Sequence, residues 1–476
     1  METQGFFVAA GLPYGTILLS LGILFGFYMA WSIGANDLAN AMGTSVGSGS
    51  LRLKQAVLIG AIMEFLGSVL VGSHVSQTVR SGIFDPTKFD AMTLVLAFLA
   101  ALLAAAAWLQ IATYFGWPVS TTHSIVGSLI GTGVLVGGFH SVQWQKISSI
   151  VLSWITSPLC GGTISFLLMR LIQQTIFNKK RPLERMYRFI PFLIFYVAFV
   201  LTLVAVWKGL KNLHLNLPLG QALLVATGVA ILCSLGSLLW IKRLRALHER
   251  ERKERGIELE SDVPGGIPFI PKKYREQPNP KVVLRPPLAP GSEQPARRWE
   301  YRRQFEFEKI EEVFALLVVM SASFVAFAHG ANDVANAIGP LAAIAAIVKG
   351  GVISLKTQVP LWCLMLGGSG IVLGLATWGY RVIETVGRKI THLTPSRGFA
   401  AEISAATTIV FASRMGLPIS TTHTLVGAVL GIGLARGIEY LNLRMVRDIV
   451  ISWLVTIPAG AGLAVLFYYI LRIFFH

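Results

Sequence analysis

The stretch GANDLANA at residues 34–41 follows a long apolar run, and GANDVANA at residues 330–337 follows another. Each octapeptide places an aspartate and two asparagines among small residues. Asp, Asn and Gly are poor residues for a helix interior, and a carboxylate at membrane depth costs several kcal/mol unless it is paired or hydrated. Each octapeptide is therefore predicted to interrupt a membrane helix.

A second motif is also present twice. GWPVSTTHSIVGSLIGTG at residues 116–133 returns as GLPISTTHTLVGAVLGIG at residues 416–433, and SWITSP at 153–158 matches SWLVTIP at 452–458. Three matches in one order predict a duplicated half.

The composition is that of a membrane protein. Of 476 residues, 54% are hydrophobic and 14% charged, with a mean hydropathy of +0.63, whereas soluble domains carry about 25% charged residues. Windows near the roughly 20 apolar residues that cross a bilayer predict an all-α polytopic membrane protein with about twelve transmembrane segments. These segments lie at 16–33, 53–72, 91–112, 118–137, 147–172, 189–207, 219–241, 311–328, 358–379, 398–413, 418–436 and 449–471.

The net charge of +17 lies mostly beside membrane segments, at 170–188 and 242–309, and so indicates topology rather than nucleic-acid binding. The positive-inside rule places both stretches in the cytoplasm and both termini outside. We predict a first membrane repeat at 1–173, an inserted two-helix region at 174–241, a charged, Pro-rich cytoplasmic loop at 242–309 and a second repeat at 310–476.

An odd number of crossings separates the first segment from its counterpart, so the second half is predicted to be inverted. Inverted repeats with discontinuous helices around a central site are typical of secondary transporters. The N-terminal residues lack the basic start of a cleavable signal peptide.

The octapeptides offer hard oxygen ligands for a small cation. The candidates are Asn36, Asp37 and Asn40 in the first copy and Asn332, Asp333 and Asn336 in the second. Two further intramembrane acids, Glu64 and Glu402, are candidates for cation binding or proton transfer. The structural alternatives are a capping turn for each octapeptide and local hydrogen bonds to Ser or Thr for each glutamate.

The second motif predicts an anion site. A proline followed by hydroxyl residues is typical of a helix start, where free N–H groups and the positive end of the dipole attract anions. The predicted substrate ligands are Ser120, Thr121 and Thr122 with Ser420, Thr421 and Thr422, beside Asp37 and Asp333. His123 and His423 are either ligands or proton relays, or hydrogen-bonded structural histidines.

The paired motifs resemble the inorganic phosphate transporter (PiT) family of sodium- or proton-coupled symporters. The resemblance spans roughly 16–172 and 311–474, and Glu64 and Glu402 look like glutamates important in that family. It implies inorganic phosphate as the substrate, sodium or a proton as the coupling ion with sodium favoured, no other cofactor, and a location in the plasma (inner) membrane.

Electrostatics gives an independent reason for coupling. No Lys or Arg occurs between Trp31 and Leu51 or between Ala91 and Gln145, so the first half offers phosphate no fixed cation. The carboxylates of Asp37 and Asp333 would repel phosphate in a dry site. Mobile cations bound between these carboxylates and the phosphate would remove that repulsion. In the second half Arg414 replaces Tyr114 and reaches either a gate or the membrane interface.

Other functions remain open at this point. The alternatives are a proton-coupled sulfate permease, a passive anion channel and, least favoured, a membrane enzyme using Ser120 with His123. A homo-oligomer is compatible with the sequence. Cys160, Cys233 and Cys363 have no metal-site spacing and are expected to be buried.

Overall fold

A computed structural model describes residues 12–73, 83, 89–204, 206, 217–257, 295–350, 359–384, 393–415 and 417–475. Its described part is helical. The helices are α1 Gly15–Gly47, α2 Leu53–Val71, α3 Ala91–Tyr114, α4 Thr121–Gly137, α5 Trp144–Ile172, α6 Pro182–Val204, α7 Leu219–Glu254, α8 Pro295–Gly350, α9 Leu361–Thr377, α10 Tyr380–Glu384, α11 Pro395–Arg414, α12 Thr421–Arg436 and α13 Leu443–Phe475.

Each predicted hydrophobic segment falls on one of these helices, which confirms the all-α polytopic class. Within the described ranges, eight helices are long and apolar enough to cross a membrane, and α4 and α9 are shorter apolar helices. The count of twelve crossings stays a prediction.

The outer surface of the helices is apolar, as a bilayer requires. Large side chains on α7, such as Leu224, Leu232 and Leu239, are exposed. The expectation of three buried cysteines is wrong for Cys160 and Cys233, which are exposed on the outer helices, whereas Cys363 is buried. An apolar segment in a membrane can turn a cysteine toward lipid as readily as toward the core.

The octapeptides do not interrupt their helices, so that prediction is wrong. Helix α1 runs unbroken through residues 34–41, and α8 runs unbroken through residues 330–337. Helix propensities differ by only about 1 kcal/mol between Gly and Ala, and buried contacts outweigh them here.

Close helix packing is one such contact. Gly34 lies against the backbone of Ile371 on α9, and Gly330 lies against the backbone of Glu64 on α2. A Cβ atom at either glycine would collide with a carbonyl group. The first residue of each octapeptide therefore allows two helix backbones to approach, as small residues do in membrane proteins.

The helical structure is interrupted instead at the second motif. Helices α3 and α4 form a hairpin through residues 115–120, and its open ends lie together, since Gln143 N donates to Ile83 O at 2.8 Å and Gly137 lies against Phe89. Helices α11 and α12 form the corresponding hairpin in the second half.

The two hairpin tips meet. The Thr122 hydroxyl donates to Ile419 O at 3.1 Å, and the Thr422 hydroxyl donates to Val119 O at 3.2 Å. Packing between the halves is reciprocal too, because α4 packs on α13 and α12 packs on α5. This exchange of partners is expected of two duplicated halves, while their opposite orientation in the membrane stays a prediction.

The predicted loop at 242–309 is helical at both ends. Helix α7 continues to Glu254 and α8 begins at Pro295, so the loop prediction is wrong there. Lys309 Nζ lies 2.6 Å from Glu251 Oε2, and this ion pair joins the two helices. The Pro-rich part of the predicted loop, 258–294, lies outside the described residues. The proposed domain boundaries stay predictions.

Candidate functional site

Two aspartates from the two octapeptides meet at a single histidine. Asp37 on α1 and Asp333 on α8 are both fully buried. The Nε2 atom of His329 lies 3.3 Å from Asp37 Oδ2 and 2.9 Å from Asp333 Oδ2. His329 and Asp333 are four residues apart on α8, a spacing that places both side chains on one face of a helix.

Glu64 completes this group. Its Oε1 atom lies 3.2 Å from Nδ1 of His329, so one buried imidazole contacts carboxylates from α1, α2 and α8. We call Asp37, Glu64, His329 and Asp333 the carboxylate cluster. The sequence indicates Glu64 as a candidate for cation binding or proton transfer, and that role stays a prediction.

The sequence prediction missed His329. This residue stands directly before the second octapeptide, in AHGANDVANA, where the first copy has Ile33 in SIGANDLANA. Aligning the two copies one residue further toward the N-terminus would have found this difference, because an ionisable residue in a membrane segment is a functional candidate.

The carboxylate cluster has an excess of negative charge. Even with His329 protonated, three carboxylates oppose one imidazolium, and buried charge without compensation is costly. One ligand atom each from Asp37, His329 and Asp333 lie within 4.8 Å of one another. Such a cluster is a suitable place for additional cations.

The asparagine amides tie the octapeptides to the hairpin tips. Asn40 Nδ2 donates to Asp37 Oδ1 at 2.5 Å and to Thr422 Oγ1 at 2.7 Å. Asn336 Nδ2 donates to Thr122 Oγ1 at 3.2 Å. The octapeptide of each half thus bonds a threonine of the opposite hairpin.

Asn36 instead bonds the hairpin of its own half. Its Nδ2 atom donates to Thr113 Oγ1 at 2.9 Å and to Trp117 O at 3.1 Å.

Several oxygens of the octapeptides remain free for ligands. Among the described atoms of the two octapeptides, five buried oxygens have neither a hydrogen-bond donor nor a contact with His329: Oδ1 of Asn36, Asn40, Asn332, Asn336 and Asp333. Buried polar atoms are almost always hydrogen-bonded, so each of these oxygens calls for a partner. Hard cations prefer carbonyl and carboxylate oxygens as ligands, so a small cation is a partner that suits this set of oxygens.

The hairpin tips form two helix starts, as the sequence predicted. Ser120 Oγ accepts from His123 N at 3.1 Å, and Ser420 Oγ accepts from His423 N at 3.1 Å. The two threonines after each serine, 121–122 and 421–422, are also buried. Thr421 Oγ1 donates to Asp333 Oδ2 at 2.7 Å, so the second helix start directly contacts the carboxylate cluster.

Comparison with known proteins identifies the family to which the chain belongs. The sequence model of the phosphate transporter family matches residues 33–464, which include both octapeptides and both hairpin tips. The chain belongs to the phosphate transporter family. The resemblance seen in the sequence is therefore confirmed.

Relatives cover nearly the whole chain. It is 43% identical to the inorganic phosphate transporter 2-1, chloroplastic, of Arabidopsis thaliana, over 97% of this chain and 73% of that protein. It is 41% identical to a putative phosphate permease of Haemophilus influenzae, over 97% of this chain and 99% of that protein. A solved structure titled "The sodium-dependent phosphate transporter" matches with a TM-score of 0.78 and 38% identity, over 96% of this chain and 99% of that one.

Family membership decides the class of function. A phosphate transporter moves its substrate without changing it, so the chain is a transporter and not an enzyme. The Ser120–His123 enzyme alternative is thereby excluded. Structurally, Ser120 Oγ accepts from the His123 backbone and serves as a helix cap.

Glu402 lies apart from the carboxylate cluster of this phosphate transporter. Its carboxylate accepts from the hydroxyls of Thr44, of Ser45 at 2.7 Å and of Ser321 at 2.5 Å. Thr44 follows Asp37 by seven residues on α1, which is about 10 Å along a helix axis. The hydroxyl bonds agree with the structural alternative for Glu402, and its cation-binding role stays a prediction.

His123 and His423 do not join the carboxylate cluster; they pack on each other, with ring centroids 4.3 Å apart. Arg414 ends α11. Its side chain lies outside the described residues, so the choice between gate and interface stays open.

Proposed function

We propose that this phosphate transporter is a sodium-coupled symporter that imports inorganic phosphate by alternating access. The observation that carries the proposal is the meeting of the two hairpin tips at the carboxylate cluster. Asn40 and Asn336 bond the tips of the opposite hairpins, so the cation ligands and the anion ligands form one connected site.

The hairpin tips suit a tetrahedral oxyanion. Two helix starts supply N–H groups and serine or threonine hydroxyls from opposite directions. Phosphate carries an O–H group at neutral pH and can donate it to Asp37 or Asp333, whereas sulfate has none to donate. A buried acceptor without a donor costs about 1–3 kcal/mol, which favours phosphate over sulfate.

Sodium is the favoured coupling ion because of the unpartnered oxygens. Four of the five belong to asparagine amides, which do not accept a proton near neutral pH but do ligate hard cations. The matching solved structure is titled a sodium-dependent transporter. A sodium ion bound by these oxygens would also screen the aspartates from phosphate, and this screening makes phosphate binding depend on sodium.

Alternating access is supported by the reciprocal packing of the halves. Each hairpin tip contacts the other hairpin, so the candidate site lies where the two halves meet, as rocking of one half against the other requires. We propose a location in the plasma (inner) membrane with the termini outside and 258–294 in the cytoplasm.

Uptake of labelled phosphate by proteoliposomes tests the proposal. An inward sodium gradient at equal pH is expected to drive accumulation, and a proton gradient without sodium is not. Accumulation by the proton gradient alone would assign the coupling to protons. Passage of phosphate that is independent of both the sodium gradient and the proton gradient would indicate a channel. Inhibition of phosphate uptake by equimolar sulfate would indicate a broader oxyanion carrier.

A further inference from the structure

Four aromatic rings form a continuous stack between the two hairpins. Trp154 on α5 packs on His123 with ring centroids 3.7 Å apart, and Trp453 on α13 packs on His423 at 3.6 Å. His123 and His423 face each other at 4.3 Å with an interplanar angle of 77°. We call these four residues the ring stack.

The ring stack is directly linked to the backbone of both hairpin tips. The amide nitrogens of His123 and His423 are the groups that the Ser120 and Ser420 side chains cap. Trp154 Nε1 also donates to Pro418 O at 3.3 Å, from the first half to the opposite tip. A displacement of either imidazole therefore moves the serine and threonine hydroxyls beside it.

The contacts of the two imidazoles are mainly ring contacts. Both side chains are almost fully buried. In the described part of the chain, no side chain hydrogen-bonds either ring nitrogen of His123 or Nε2 of His423. The polar neighbours of the two rings are backbone groups, that of Trp453 beside His123 and that of Trp154 beside His423. The stacking contacts need only the flat ring, so they hold each imidazole in place whichever ring nitrogen carries its proton.

We propose that the ring stack positions the two hairpin tips and so sets the separation of the helix starts that hold phosphate. This inference rests on the proposed function. Trp154, His123, His423 and Trp453 are positioning residues, because they act through the tip hydroxyls and N–H groups rather than by touching the substrate. Edge-to-face and stacked ring pairs have defined geometry, which is the property a spacer requires.

Equilibrium binding of labelled phosphate to purified protein at saturating sodium tests this role. His123→Ala or His423→Ala is expected to raise the phosphate Kd about tenfold, while His123→Phe or His423→Phe stays within about twofold of wild type. The sodium-dependent rise in melting temperature, measured without phosphate, is expected to remain in all four variants. A general folding defect would weaken both responses.

A tryptophan pair provides a matched control on the same helix. Trp154→Leu is expected to weaken phosphate binding, whereas Trp144→Leu, at the exposed start of α5, is not. This pair also decides the question if the alanine variants fail to fold.

The outcomes separate the two proposals. Wild-type protein that binds no phosphate would overturn the proposed function. If wild type binds phosphate and the folded alanine and Trp154→Leu variants bind it equally well, only the ring-stack role is overturned. An equal loss of phosphate affinity in the Phe and Ala variants would also overturn the ring-stack role, because phosphate binding would then require the ring nitrogens rather than the flat rings.

Discussion

One residue makes the two halves of the site unequal. Ile33 and His329 occupy the same position before the two octapeptides, yet only His329 can carry charge. It contacts both aspartates and Glu64, so a single imidazole from the second half, when protonated, partly neutralises carboxylates from both halves. The remaining negative charge is the physical reason to expect that phosphate binds only together with cations.

The aspartates provide the first test of this coupling. Asp37→Asn or Asp333→Asn removes one carboxylate charge but keeps the size and one carbonyl ligand. We expect sodium affinity to fall and the apparent phosphate Kd at low sodium to rise about tenfold, with partial recovery at high sodium, because coupled ligands change each other's affinity by the same factor.

The measurement is phosphate binding to purified variants across a sodium series and, separately, a pH series. Variants that fold normally and keep the wild-type sodium dependence would remove the aspartates from the coupling mechanism. A purely structural aspartate would instead reduce the yield of folded protein and leave the sodium dependence of the remainder unchanged.

The tip serines provide the second test. Ser120→Ala or Ser420→Ala removes a helix cap, which typically contributes about 1 kcal/mol to stability. It also removes a hydroxyl donor, so we expect phosphate binding to weaken by about 0.5–1.5 kcal/mol. Isothermal calorimetry and melting curves measure the two effects, with Ser148→Ala on the exposed face of α5 as the control. Unchanged phosphate affinity in both tip variants would place the serines outside the substrate site.

At the scale of helices, α1 and α8 show how packing overrides composition. Both contain Gly, Asn and Asp in their interior, and both remain continuous. The asparagine amides bond the hairpin tips, and the glycines let α9 and α2 approach the backbone. A continuous α8 also joins Lys309, in the ion pair with α7, to Asp333 in the carboxylate cluster.

The glycines test this packing. Gly34→Ala or Gly330→Ala places a methyl group against a neighbouring carbonyl, and overpacking of this kind costs about 1–3 kcal/mol. We therefore expect a lower melting temperature and reduced phosphate transport. Gly228→Ala on α7 is the matched control, because a methyl group there would meet no atom within 4 Å and alanine favours a helix interior by about 0.5–1 kcal/mol. Equal melting temperatures in Gly34→Ala and Gly228→Ala would show that the close approach does not stabilise the fold.

At the scale of the molecule, the two hairpins decide how crossings are counted. The open ends of the α3–α4 hairpin lie together, while its tip contacts the tip of the α11–α12 hairpin. A hairpin that returns to the face it entered adds no net crossing. The number of crossings between α1 and α8 therefore stays odd whether α3 and α4 count as two or as none, and the inverted arrangement is expected in both cases.

Membrane topology tests the inversion. In a background with Cys160, Cys233 and Cys363 replaced by alanine, single cysteines near Glu2 and near the C-terminus are expected to react with an impermeant thiol reagent added to intact cells. A cysteine within 258–294 is expected to react only after the membrane is permeabilised. Protection of the position near Glu2 in intact cells would contradict the inverted arrangement.

Much of this molecule was determined by local sequence. Hydropathy predicted the apolar part of every described helix except the short α10, because a bilayer requires a long apolar stretch. The proline and serine of the second motif predicted where α4 and α12 begin, because capping is a local interaction. The duplicated motifs indicated two related halves and the residue types of a candidate anion site, because a repeated motif is visible in the sequence without knowledge of its partners.

Only the tertiary structure decided how these pieces meet. His329 bridges helices far apart in the chain, and Glu64 joins the cluster while Glu402 does not. The octapeptides stay helical in contact with other helices, through the amide groups of Asn40 and Asn336 and the close backbone approach at Gly34 and Gly330. None of these contacts is set by neighbouring residues in the sequence. Helix propensity and hydropathy describe one segment at a time, whereas burial, charge compensation and close backbone approach depend on which segments pack together.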